Sequence, residues 1–452
     1  MKTEFPKSSI FLGFADLFSL FINLFIFRSL FLHWDIKIYA EWEWLSVWFG
    51  ICLLIPRNGL EIIALRAAIR HPSHLREWTA VVLLVRATFG CVASVIFLMT
   101  GLWMNPASFG LILPLALTLM VSSISPDLAA KAQYRFLRSS LIMVSRNVSF
   151  LIFLQLYGIQ SDSAVTAGWS FLSAELIVFM LWCCDSWLHQ AFPGGRWRTL
   201  IQRAWKLILV SSAEHTMTRW IRVFSWSCDA LILGMIAPSI WQEIAPSRRF
   251  LMTGVIPVAG WIGTLGPILT QQSVSEQRLF LRNSTITAVC IATFSSSVAY
   301  VFGSELIGLV LALDHDSLMD SNMLALNALR FAPLVLVMLS GACLTAIQAD
   351  RLVPVPGLIH LTGLFIGCLM AKWSQPSSYT FGTMIAIEYG VALVGLAFVT
   401  QVMGNHRYTR MSRFHLKEPD LRVDKGGSSV PDPRIQIAIR GTKDRLVREV
   451  YR

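Results

Sequence analysis

Charge is what this chain of 452 residues has least of: 14% of its side chains are charged and 55% are hydrophobic. Its mean hydropathy of +0.59 lies outside the range of ordinary soluble domains, which leaves a polytopic membrane protein. No small-residue cleavage site follows the first apolar run, Ser8 to Leu32, and the run is too long for a signal-peptide core. It is expected to remain as a membrane span. The eight cysteines lie scattered through apolar segments and show no metal-ligand spacing; no metal, cofactor or catalytic site is expected, and the chain is not read as an enzyme. A large extracytoplasmic loop is also missing, since the longest candidate, 311–321, is short. That argues against a membrane glycan polymerase or ligase. The net charge of +11 comes without aromatic and basic residues interleaved, so nucleic acid is not an expected partner.

What is present is a series of apolar runs near the ~20 residues that cross a bilayer. They fall at about 8–32, 44–65, 78–103, 109–125, 139–160 and 164–187, then at about 205–236, 250–270, 284–310, 322–347, 352–373 and 379–403. The reading is an all-α protein of about twelve transmembrane helices in two six-helix lobes around a central cavity. Residues 1–200 form the first lobe, 201–403 the second, and 404–452 a basic tail with twelve Lys/Arg against six Asp/Glu. Loops after even-numbered spans carry the cations, among them Arg66, Arg70, Arg196, Arg198, Arg278 and Arg351. Those after odd-numbered spans carry few, with Lys37, Arg248, Arg249 and Lys372 as exceptions. The positive-inside rule then places both termini in the cytoplasm of a multi-pass cell-membrane protein.

One stretch breaks the apolar pattern. Ser211, His215, Arg219, Arg222, Trp226 and Asp229 recur at steps of three and four, which stacks them on one helical face. Insertion scales charge each central Arg or Asp about 2.5–3.5 kcal/mol, so this face must meet protein or water. It either neutralises carboxylates on neighbouring helices or lines a hydrated path. Other ionisable groups at membrane depth are Asp16, Arg28, Arg57, Glu61, Arg86, Arg146, Glu175, Glu214, Arg330 and Glu388. Arg57 and Glu61, four apart, can neutralise each other, and the long stems of Arg28, Arg86 and Arg146 can reach an interface. Arginines outnumber carboxylates, and a guanidinium suits bidentate contact with phosphate, so a path here should prefer anions. Pro56 to Gly59 in the second span, and Gly254, Pro257, Gly260, Gly263, Gly266 and Pro267 in the eighth, are expected to kink the corresponding helices of the two halves.

Several short motifs resemble those of the polysaccharide and oligosaccharide flippases of the multidrug/oligosaccharidyl-lipid/polysaccharide (MOP) exporter superfamily. Phe27-Arg28-Ser29-Leu30 resembles the close of that family's first span. Asn58-Gly59-Leu60, Leu65-Arg66 and Arg76 to Leu84 resemble the passage into its third. Asp229-Ala230-Leu231-Ile232-Leu233-Gly234, with Arg248 or Arg249 and Gly266-Pro267, resembles the passage after its seventh, although Ile240-Trp241-Gln242 replaces the usual Gly-x-Tyr. The resemblance implies two lobes rocking about a cavity bordered by spans one, two, seven and eight. It implies transport of a glycan on a polyprenyl pyrophosphate carrier, bound by Arg28, Arg57, His215, Arg219 and Arg222, with Asp16, Glu61 or His215 able to couple an ion. Partners would be the lipid-linked glycan, membrane lipids and glycan-assembly proteins. The alternatives are a cation or drug exporter of the same superfamily, whose cavity would be acidic, a glycan polymerase or ligase, and a scaffold working through its tail.

Overall fold

A computed structural model of the chain describes residues 18–19, 21–31, 33–57, 64, 68, 72–128, 136–158, 164–188, 213–269, 274–311, 321–347, 349, 352–373 and 378–415. Among these residues the structure is all helical, with no strand. The first six spans correspond to α1 (Phe21–Phe31), α2 (Ile36–Cys52), α3 (Leu75–Met104), α4 (Phe109–Ser123), α5 (Phe136–Phe153, closing in a π turn, Leu154–Gly158) and α6 (Ala164–Leu188). The second half holds α7 (Ala213–Ile236), α8 (Pro238–Leu269), α9 (Val274–Leu311), α10 (Ser321–Leu329), α11 (Phe331–Ala346), α12 (Pro354–Trp373) and α13 (Ser378–His415). Each of the twelve expected spans contains helix, and the tenth is divided between α10 and α11. Large apolar side chains such as Met99, Trp103 and Phe294 lie exposed on the outside, at 65%, 77% and 71%. With water around them this would be unfavourable; with acyl chains it is the expected inversion of a membrane protein.

Several boundaries differ from the sequence expectation; the ninth span, for one, begins at Val274 and not at 284. The second span is not 44–65: α2 begins at Ile36 and ends at Cys52, where the chain turns through Leu53 to Pro56. The helix reaches back over Glu41 and Glu43 because Glu43 is neutralised inside the protein. The eighth span is one continuous helix from Pro238 to Leu269, uninterrupted at its glycines and prolines and starting twelve residues before the expected 250. Pro238 takes the first helical position, where its missing N–H costs nothing, and only Ala237 separates α7 from α8. The last of the described helices runs on to His415, past the expected end at 403.

The break lies in the tenth span instead. Pro333 has no N–H and its ring crowds the carbonyl four residues back, that of Leu329. The helix stops there, and the freed Leu329 carbonyl accepts a hydrogen bond from the Tyr389 hydroxyl of α13 at 2.8 Å. Arg330 occupies the break and faces α13 and α7. Within the first lobe α4 packs on α3 and α6, and α5 on α6; in the second, α12 packs on α7 and α13, and α8 on α11. The lobes meet where α2 lies against α7 and α8. One buried cluster, including Tyr39, Leu45, Leu233 and Trp241, is shared by both.

Candidate substrate cavity and buried charge network

The face of α2 repeats at helical spacing: Tyr39, Trp42, Glu43, Ser46 and Phe49 all turn toward one cavity of about 250 Å³. Asn23, Phe27 and Leu30 of α1 close one side, Arg146, Asn147 and Phe150 of α5 another, and Arg249 of α8 reaches in from the second lobe. The walls are stiff because the aromatic rings brace each other. Phe150 and Phe171 meet edge to face at 5.2 Å, Phe49 and Phe171 at 5.7 Å, and Trp42 stacks on Phe150 at 6.1 Å. Among the described residues no carboxylate pairs with Arg146, and its buried Nε has no hydrogen-bond partner. The expectation that Arg146 extends to an interface is therefore replaced by a cationic side chain lining an internal space.

Beside the cavity lies a chain of six charged groups. Arg330, 2% exposed, clasps Glu388 through Nε at 2.9 and 3.0 Å and through Nη2 at 2.8 Å, and Asp229 through Nη1 at 2.8 Å. Arg248 donates from Nε to the same Asp229 oxygen at 3.0 Å and sits over the Trp241 ring at 5.9 Å. Glu43 lies 3.5 Å from both Arg248 and Arg249. Asn327, which accepts from Arg330 at 3.4 Å, also donates to the Ser247 hydroxyl. Asp229 stands eight residues before the α7–α8 turn and Arg248 eleven after it, which at 1.5 Å per residue sets them about 12 and 17 Å from the turn, within the spans of both helices. Charges there must be paired internally, and they are.

Of the expected site residues, Arg28 is half-buried on α1 and Arg57 half-buried at the turn after α2. Neither lines this cavity. His215, Arg219 and Arg222 lie on the α7 backbone, but their side chains fall outside the described residues, as do Asp16 and Glu61 altogether. Asp229, the last member of the stripe, faces protein and not a water path. Arg86, expected to reach an interface, is buried at 4% exposure and bonds Asp127 at 2.6 Å and the Ser125 carbonyl at 2.9 Å. Arg248 and Arg249, expected as loop cations that break the positive-inside pattern, are inside α8, just as Arg278 and Arg282, expected as loop cations that follow it, are inside α9. Glu43 was not singled out from the sequence. The i, i+3, i+4, i+7 spacing from Tyr39 to Ser46 is the signal that finds it.

No protein-family model matches the chain, and no curated protein matches it in sequence. In fold it matches solved transporters along most of its length. A multidrug resistance MATE family transporter of the MOP superfamily, inward-facing, aligns with a TM-score of 0.66 at 12% identity, over 88% of this chain and 99% of that one. The chain has the MATE transporter fold. A mutant of the Vibrio cholerae MATE transporter VcmN aligns at 0.60, with 13% identity over 88% and 97% of the two chains. A MOP superfamily transporter from Pyrococcus furiosus, described as having a binding pocket of reverse polarity that suggests a different function, aligns at 0.58, with 12% identity over 89% and 96%. The cavity is built mainly by α1, α2, α4, α5 and α6, and the ionic chain joins α2 to α7 and α8.

Proposed function

We propose that the chain is a membrane transporter, not an enzyme, working by alternating access between its lobes. Its cargo is a lipid-linked oligosaccharide or polysaccharide precursor, held by the anionic head of its carrier. The observation that carries this reading is Arg146, a guanidinium lining an aromatic cavity with a buried nitrogen left without a partner. Phosphate oxygens are the natural complement of such a group. The cavity is lined by two arginines and one carboxylate, so its balance favours anions. At about 250 Å³ it falls below the ~300–1,000 Å³ of drug-sized sites, so it fits a head group while glycan and lipid chain project outward. Arg219 and Arg222 on α7, with Arg28 and Arg57, supply further cationic positions along the path, and Asp16 or Glu61 a place to couple an ion.

Export of a cationic drug is the second reading, favoured by one observation: the Glu43 carboxylate stands in the same cavity among aromatic rings. Vesicles containing the purified chain separate the two. A fluorescent lipid-linked oligosaccharide should become accessible from the far leaflet, and Arg146→Ala should slow this at least tenfold while Arg282→Ala, on the exposed surface, leaves it unchanged. Transport of a cationic dye with no movement of the lipid-linked glycan would establish the exporter reading instead.

A further inference from the structure

Glu43 is the loose member of the ionic chain. Arg330 and Glu388 meet at 2.8–3.0 Å and Arg248 reaches Asp229 at 3.0 Å. Glu43, only 2% exposed, has no contact with its arginines shorter than 3.5 Å. That is the outer limit of a hydrogen bond and well beyond a good charge-assisted one. A buried carboxylate is offset only by short, aligned partners, so Glu43 is held less well than its burial requires. It is also where the chain crosses between lobes. Asp229, Arg248, Arg249, Arg330 and Glu388 all belong to the second lobe, and Glu43 stands on α2 of the first. Finally, Glu43 and Arg249 both line the cavity, and the Arg249 side chain is 34% exposed.

We propose that Glu43 is a built-in stand-in for the anionic group of the substrate. With the cavity empty its carboxylate sits between Arg248 and Arg249 and ties α2 to α8. A phosphate oxygen entering the cavity reaches Arg249 on its exposed side, makes the short contacts that Glu43 does not, and releases the tie. Three guanidiniums and three carboxylates balance within these six groups. Parting the lobes without a substitute removes one of those carboxylates from the second lobe's arginines, and a phosphate restores the balance where a neutral or cationic molecule does not. Lobe separation therefore depends on an anion being present. The inference rests on the anionic-carrier reading of the cavity.

The test uses the full chain in micelles with inorganic pyrophosphate as probe, measured by calorimetry. Glu43→Gln should bind at least tenfold more tightly than wild type, because the internal competitor is gone. Glu43→Asp, which keeps the charge but cannot reach as far, should fall between them, and adding Arg249→Gln to Glu43→Gln should abolish the gain. Spin labels at Lys37 and Ser239, exposed on the two lobes, should report that pyrophosphate shifts the wild-type distance and that Glu43→Gln has shifted it already. Equal affinity in wild type, Glu43→Asp and Glu43→Gln would overturn the stand-in role, even if wild type still translocates the lipid-linked glycan. If no form binds pyrophosphate and wild type moves no lipid-linked glycan, the anionic reading itself falls, and the stand-in with it.

Discussion

Glu388 gives the sharpest test of whether the buried ionic chain is as dry as it looks. Its carboxylate, 0% exposed, takes three contacts of 2.8–3.0 Å from Arg330. Glu388→Leu removes all three and leaves Arg330 with Asp229, which it already shares with Arg248. Stranding one partner of a buried pair costs about 3–5 kcal/mol. For a unit of roughly 200 residues, at about 2–4 °C per kcal/mol, the apparent Tm should fall by on the order of 10 °C. The double change Arg330→Met with Glu388→Leu leaves Asp229 and Arg248 as a matched pair and should recover most of the loss. Tryptophan fluorescence during thermal unfolding in micelles reads both. If the single and double variants fall equally, the loss comes from packing and not from uncompensated charge, and the reasoning fails. No fall in the single variant would mean that water reaches Arg330.

Three further predictions follow from other parts of the molecule. Arg219→Ala and Arg222→Ala should each lower glycan translocation severalfold in vesicles with insertion unchanged, and wild-type rates in both would remove the α7 stripe from the path. A Cβ at Gly90 would lie 2.6 Å from the Ser123 Cβ, so Gly90→Ala should cost about 1–3 kcal/mol by overpacking α3 against α4. Ser123→Gly should restore the Tm, and failure to do so would place the strain elsewhere. Cys91 and Cys290 are exposed yet sit mid-span on α3 and α9; facing acyl chains they are out of reach of a reagent confined to water. A membrane-impermeant maleimide should leave them unlabelled in vesicles from either side, and rapid labelling would show that these faces contact water.

The residues that could be read in advance are those whose behaviour depends on the solvent they meet. Apolar runs located the spans because hydrocarbon tolerates nothing else over that length, and α3, α4 and α6 begin and end within three residues of expectation. The reading failed where charge is neutralised by a distant partner. Glu43 makes the second span look as if it starts only at 44, when α2 begins at Ile36, and Arg248 and Arg249 read locally as loop residues. Their mutual contacts span about two hundred residues and have no local signature. Pro257, in a run of glycines, has the stronger local signature of a break, yet the helix is interrupted ahead of Pro333 and not there. A proline breaks a helix for good only if the freed carbonyl finds another donor, and Tyr389 supplies one to Leu329. Arg146 was visible as an intramembrane cation, but that it lines a cavity was not, since this depends on the aromatic rings of α2, α5 and α6 meeting around it.

By itself, then, the sequence determined a helical membrane protein of twelve spans in two halves, with cations in excess at membrane depth, because hydropathy and helical period are local properties. The tertiary structure alone decided which arginines are neutralised and which is left to face a cavity. Ion pairing in a low-dielectric interior is settled within about 4 Å, and only the packed lobes bring Glu43, Arg248, Asp229, Arg330 and Glu388 that close.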